Sequence, residues 1–255
     1  MTRWFSRGYL SLMYLFLYLP IVVLVIFSFN NSVFSGLWHG FTWRWYHELF
    51  NDSSLLTIAL HSGIIAVLAS TIATIIGTLG ATALFKYRFF GKQALFGLLF
   101  IMIIIPDLVV GIALLLLFHS LDMPLGFFSL LLAHITFCVP FVFVTVYGRI
   151  VSLDKNLFEA AKDLGATDWQ VFVKIIFPLL IPAIIAGWML SFTMSLDDVI
   201  ISFFVSGPGF QILPLYIFSA VRLGVTPEIN ALCSLILLVT IFLAISSQYL
   251  LRGRR

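Results

Sequence analysis

Apolar residues fall in six long runs, at 9–29, 56–84, 94–118, 126–147, 178–199 and 231–250, parted by polar stretches. A helix needs about 20 apolar residues to cross a bilayer. Each run approaches or exceeds that length. Barrel strands would alternate in segments of about ten residues, a pattern these unbroken runs do not follow. The expectation is an all-α, polytopic membrane protein with six transmembrane helices, built as a single transmembrane domain over 1–255. The first run follows Arg3 and Arg7 but is too long for a signal-peptide core. No small-x-small cleavage site follows it, so it is expected to be retained. In the second run Ala69, Ala73, Gly77 and Ala81 place a small residue at every fourth position. Such a row lets a neighbouring helix approach closely in lipid.

Composition agrees. Of 255 residues 62% are hydrophobic and only 10% charged, with 27 Phe and a mean hydropathy of +1.13. Soluble domains run near 45–50% apolar and about a quarter charged. A disordered chain, a disulfide scaffold and an ordinary cytosolic enzyme are therefore excluded. Cys138 and Cys233 both lie in apolar runs without ligand spacing and read as small core hydrophobes.

Charge sets the orientation. Arg3 and Arg7, then Lys86, Arg88 and Lys92, then Arg149, Lys155, Lys162 and Lys174, then Arg252, Arg254 and Arg255 all fall on one side of the six runs. Only Arg44 and Arg222 fall on the other. Basic residues gather on the cytoplasmic side, so both termini are expected there. The net charge of +3 reflects that bias and says nothing of nucleic acid.

Catalytic signatures are missing. Gly91-Lys92 is followed by Gln93, without the upstream glycine of a phosphate-binding loop, and neither Gly-x-Ser-x-Gly nor His-Glu-x-x-His occurs. His39, His47, His61, His119 and His134 are scattered. The chain is expected to be no enzyme and to bind no metal or cofactor itself. Uphill transport would draw on an ion gradient or on an ATP-binding partner.

The longest cytoplasmic segment, 149–177, carries the most local information. Asn156 with Glu159 has capping-box spacing, as has Thr167 with Gln170. Gly165 between them suits a left-handed helix end. The code spells helix, glycine turn, helix, with Leu157, Phe158, Ala161 and Leu164 as an apolar stripe. So short a helix is marginal alone. Its stripe needs either its own bundle or a partner's groove.

Glu159-Ala160-Ala161, Gly165 four residues on, and Ile175-Ile176-Phe177-Pro178 resemble the EAA loop of ABC importer permeases. The resemblance runs on through 133–140, 190–199, 212–215 and 224–231 and is similar to the spermidine/putrescine permease subunits of that family. It implies a type I ABC importer permease fold in a bacterial inner membrane, with Glu159, Ala160, Ala161, Asp163 and Gly165 coupling to an ATPase. The implied partners are an ATP-binding subunit dimer that holds the ATP and Mg, a second paralogous permease and a periplasmic polyamine-binding protein.

Acidic residues bear on cargo independently. Asp107 lies about 13 residues into the third run, roughly 20 Å deep if the helix is straight. A carboxylate there is expensive and marks function by default. A passing polyamine ammonium would suit it. Alternatively Pro106 starts a half-helix, and Asp107 sits in a first turn where the dipole favours an anion. Asp197 and Asp198 end the fifth run near the outer mouth, either as path residues or as caps of the next segment. Neighbouring carboxylates on a helix face different ways, so at most one of them lines a central path. Trp188 and Tyr216 offer faces for cation–π contact, while Trp43 and Trp45 read as interfacial belt residues. The 200–230 segment reads as an outer gate, a docking floor or an interfacial helix.

Two other functions compete. A stand-alone secondary carrier or channel would need ion-coupling residues in several spans, and only Asp107 is clearly placed in one. Another cargo, such as ferric iron or sulfate, keeps the mechanism; an anion would want basic residues in the spans, which hold none.

Overall fold

The computed structural model describes residues 2–33, 36–154 and 156–252, with the side chains of 2–6, 156, 158 and 243–252 left out of the description. Lys155, Arg254 and Arg255 therefore lie outside the described residues, as do the side chains of Arg3, Arg252 and the expected cap Asn156. The helices in chain order are α1 (Thr2–Phe27), α2 (Arg44–Asn51), α3 (Ser53–Lys86), α4 (Lys92–Ile104), α5 (Asp107–Ser120), α6 (Phe127–Val151), α7 (Asn156–Asp163) and α8 (Asp168–Val171). A π-helical turn, Phe172–Ile176, leads into α9 (Phe177–Asp197), followed by α10 (Ile200–Val205), α11 (Leu213–Leu223) and α12 (Pro227–Arg252). Among the described residues the only extended pairing is one bridge, Asn30 to Phe41.

Among the described residues four helical runs are long and apolar enough to cross a membrane: Arg7–Phe27, Ser53–Lys86, Phe127–Val151 and Asp168–Asp197. A fifth exists if α4 and α5 count as one span, and they meet at 113°. The run 94–118, expected to be one straight helix, is thus broken. Pro106 is the cause. It has no N–H to donate, and its ring drives Ile105 into an extended conformation (φ −64, ψ 133). The Pro106 carbonyl then accepts from Val109 and Val110 and opens α5. Depth along a straight span no longer applies to Asp107, and the half-helix alternative describes its place.

The chain divides into two compact units. One comprises 1–57 with 216–255. Within it α12 packs against α1 and α2, and Asn30 organises the segment after α1. The Asn30 side-chain amide donates to the Leu37 carbonyl at 2.7 Å and accepts from the His39 N–H at 2.7 Å, and its backbone carbonyl accepts from the Trp45 indole at 2.8 Å. Trp45 is therefore a buried anchor, not the belt residue its sequence position suggests. Trp43 stays exposed, in an aromatic cluster with Phe29, Phe41 and Tyr46.

The other unit, 58–215, is built around α6, which packs against α9, α10, α4 and α5. The small-residue row on α3 does what its spacing implies. Ala69, Ala73 and Ala81 are fully buried, and a Cβ on Gly77 would stand 2.8 Å from the Val142 Cβ. Gly187 of α9 faces the same valine at 3.3 Å. Val142 thus seats against two glycines, so backbones approach where side chains are absent. Cys138 is fully buried in the core of this unit, as its apolar surroundings imply.

Candidate functional site

The acidic residues converge on one elbow. α9 ends at Asp197, and Asp198 follows with extended dihedrals (φ −66, ψ 122), so the chain turns before α10 begins. Asp198 is folded inward and buried. Its carboxylate accepts from the Ile201 N–H at 3.2 Å, the Ser202 N–H at 2.8 Å and the Ser202 hydroxyl at 2.7 Å. This is the capping alternative. A short helix needs its first N–H groups satisfied, and an anion there also suits the dipole.

His134 of α6 completes the arrangement. Its Nε2 lies 2.9 Å from the Ser202 hydroxyl and 3.5 Å from the Asp198 carboxylate, and its Nδ1 lies 2.7 Å from the Ser195 hydroxyl. His134, Ser195, Asp198 and Ser202 are all buried. With the imidazole neutral, the proton inventory closes on one tautomer. Ser202 donates to Asp198, Nε2–H donates to Ser202, and Nδ1 accepts from Ser195. Sequence reading passed over His134. The available signal was an ionisable side chain alone in an apolar run, which is a functional marker in itself.

Asp197 behaves differently: its side chain is exposed. Asp107 is half-buried at the first turn of α5 and lies, like Asp197, within electrostatic range of Asp198. Among the described residues no Lys or Arg forms an ion pair with either. α10 is what brings them together. It packs on α5 at Gly111, one turn beyond Asp107, where a Cβ would stand 2.9 Å from the Phe204 ring and 3.3 Å from the Ile201 Cα.

The aromatic candidates separate. Trp188 donates its indole N–H to Thr71 of α3 at 3.1 Å and stacks on Phe192 at 5.2 Å. Tyr216 belongs to the other unit. Burial, with Glu228 and Asp52 in range, holds its phenol above the ordinary value, so it stays neutral.

The second candidate surface is the pair α7–α8. Gly165 takes φ +79, its N–H donates to the Lys162 carbonyl, and the Ala166 N–H donates to that of Ala161. These two bonds form a complete Schellman end. Thr167 and Gln170 then cap each other, side chain to backbone, at 3.3 and 2.9 Å. The expected apolar stripe does not stay on one face. Ala161 is buried, Leu157 is exposed and Leu164 is 89% exposed, while the side chain of Phe158 lies outside the described residues. Leu164 departs because helical periodicity ends at Asp163. Glu159, Ala160, Asp163 and Gly165 are likewise exposed, so the outer surface of the pair is open. Asp168 closes its base by pairing with Lys86 at 3.0 Å and Lys162 at 3.2 Å.

The chain is 50% identical over 253 residues to the spermidine/putrescine transport system permease protein PotC of Haemophilus influenzae, covering 99% of this chain and 98% of that protein. It is 45% identical over 235 residues to the putrescine transport system permease protein PotI of Escherichia coli, covering 89% and 84%. A solved bacterial ABC transporter involved in the import of the acidic polysaccharide alginate superposes with a TM-score of 0.72 at 17% identity, covering 96% of this chain and 94% of that one, and so shares its fold. Residues 73–255 match the binding-protein-dependent transport system inner membrane components, and the chain belongs to that family.

Proposed function

We propose that this chain is the permease subunit of an ATP-driven importer of polyamines, spermidine or putrescine. It forms half of the translocation path and leaves ATP hydrolysis to a partner. The observation that carries the cargo assignment is the pair Asp107 and Asp197. Two carboxylates stand at the break of one helix and the end of another, without a Lys or Arg partner among the described residues. A linear polycation supplies the charges such a pair lacks, and an acidic path concentrates it. An anionic cargo would meet repulsion at the same place.

The three acids have separate roles. Asp107 and Asp197 contact the cation, and Asp198 holds the elbow. Trp188 and Tyr216 take a smaller part, each offering ring surface to a passing ammonium. The partners implied are an ATP-binding subunit dimer carrying the ATP and Mg, a paralogous permease and a periplasmic polyamine-binding protein. The basic-residue bias supports cytoplasmic termini and puts α7–α8 on the ATPase side. There Glu159, Ala160, Asp163 and Gly165 present an open surface, with Ala161 packed beneath. The Schellman turn keeps that surface rigid enough to transmit movement.

The test is ATP-dependent uptake of labelled spermidine and putrescine into vesicles holding the whole transporter with its binding protein. Wild type should accumulate polyamine only with ATP, and Asp107→Asn and Asp197→Asn should each slow uptake about tenfold while still assembling. Absence of polyamine uptake by wild type removes the cargo assignment; full-rate uptake by both variants removes the path assignment.

A further inference from the structure

α10 has six residues and cannot hold its conformation alone. α6 pins it at both ends. At its start Asp198 and Ser202 meet His134, and at its end the Val205 carbonyl accepts from the Ser129 hydroxyl at 2.7 Å. Ser129 in turn accepts from the Gly126 N–H at 2.7 Å, which fixes its hydroxyl at the first turn of α6. The fragment so pinned lies between the two acids of the proposed path. Asp197 is one residue before Asp198, and Gly111, against which Phe204 and Ile201 pack, is one turn after Asp107.

We propose that His134 is a positioning residue for polyamine passage: it clamps the elbow between α9 and α10 to α6, and the clamped elbow sets Asp197 against Asp107. The inference rests on the permease reading above and adds a residue that never touches the cation. A buried carboxylate is expensive unless its lone pairs are filled. Asp198 receives three donors from α10, which leaves the outward side of the elbow to Asp197 alone. Without the imidazole, the buried Ser195 hydroxyl would lose its acceptor and the Ser202 hydroxyl its donor, while Asp198 would lose the ring that stands 3.5 Å from it. The elbow would then relax toward whatever neighbour or water satisfies them, and Asp197 would move with it.

The experiment is a double-mutant cycle in the complete transporter, scored by polyamine uptake per ATP hydrolysed. His134→Leu should lower that ratio about tenfold. His134→Gln, whose amide can donate from the place of Nε2, should recover most of it. If His134 acts through Asp197, adding His134→Leu to Asp197→Asn should lower the ratio no more than twofold further. Multiplication of the two losses, or an assembled His134→Gln as poor as His134→Leu, or a normal His134→Leu, would each overturn the proposal. Should His134→Leu fail to assemble, Ser202→Ala enters the same cycle with the same expectations. Wild-type polyamine uptake, measured alongside, separates failure of this inference from failure of the permease reading.

Discussion

The Lys86 ammonium stands 3.0 Å from the Asp168 carboxylate, tying the last residue of α3 to the first of α8. Both side chains are about half exposed, so the bond is screened by salt and adds little to stability. Its effect is on direction. Beside it lies an open-sided cavity of about 730 Å³, lined in part by Leu79, Ile150, Trp169 and Phe172. Asp168→Asn should leave the melting temperature nearly unchanged and reduce uptake per ATP. Exchanging the charges, with Lys86→Asp and Asp168→Lys together, should restore part of the loss. Equal uptake per ATP in wild type and Asp168→Asn removes the tie from the coupling route.

Gly165 has a left-handed backbone and open space around its missing Cβ. Alanine there meets no clash, only the backbone penalty of about 1–2 kcal/mol. Gly165→Ala should therefore spare assembly and capture by the binding protein while cutting uptake severalfold. Gly165→Asn, which tolerates the left-handed region better, should be milder. Uptake and ATPase rates measured on the same preparation decide this.

Gly111 poses the opposite problem. It is helical, and a Cβ would press on the Phe204 ring and the Ile201 backbone. Gly111→Ala should push α10 from α5, destabilise by about 1–3 kcal/mol and impair uptake. Gly97 of α4 has nothing within 4 Å, and Gly97→Ala should be neutral or stabilising by up to about 1 kcal/mol. Thermal unfolding of the two variants in detergent gives the comparison.

Among the described residues, the hydroxyls of Thr74, Thr78 and Ser191 are buried without a hydrogen-bond partner. Thr78→Val keeps the shape and removes the unmet group. It should raise stability by about 1 kcal/mol. A lower melting temperature would show that this hydroxyl finds a partner in the assembled transporter.

Local chemistry was legible in the sequence wherever the deciding interactions lie within a few residues. Thr167 with Gln170 and the turn at Gly165 are read directly from spacing, and the structure realises both. The row Ala69, Ala73, Gly77, Ala81 announced a close contact, though not that Val142 would fill it. The break at Pro106 was present as an alternative, because a proline's effect on its own helix is local even when the resulting angle is not. The elbow was not legible. His134 and Asp198 are 64 positions apart, no periodicity links them, and only the folded packing of α6 against α10 decides that Asp198 turns in while Asp197 turns out. Trp45 was misplaced for the same reason: its indole finds Asn30, 15 residues earlier.

The run from Asp168 to Asp197 is helical over 30 residues, with a π turn and Pro182 inside it. At 1.5 Å per residue it is a shaft of roughly 45 Å, so a tilt of about 5° at its lower end sweeps the far tip through about 4 Å. Asp168 and Asp197 are the two ends of that shaft. If α7–α8 couples to the ATPase as proposed, a small swing imposed where the lysines grip would displace the elbow by about the width of an ammonium group, with no added contact along the way.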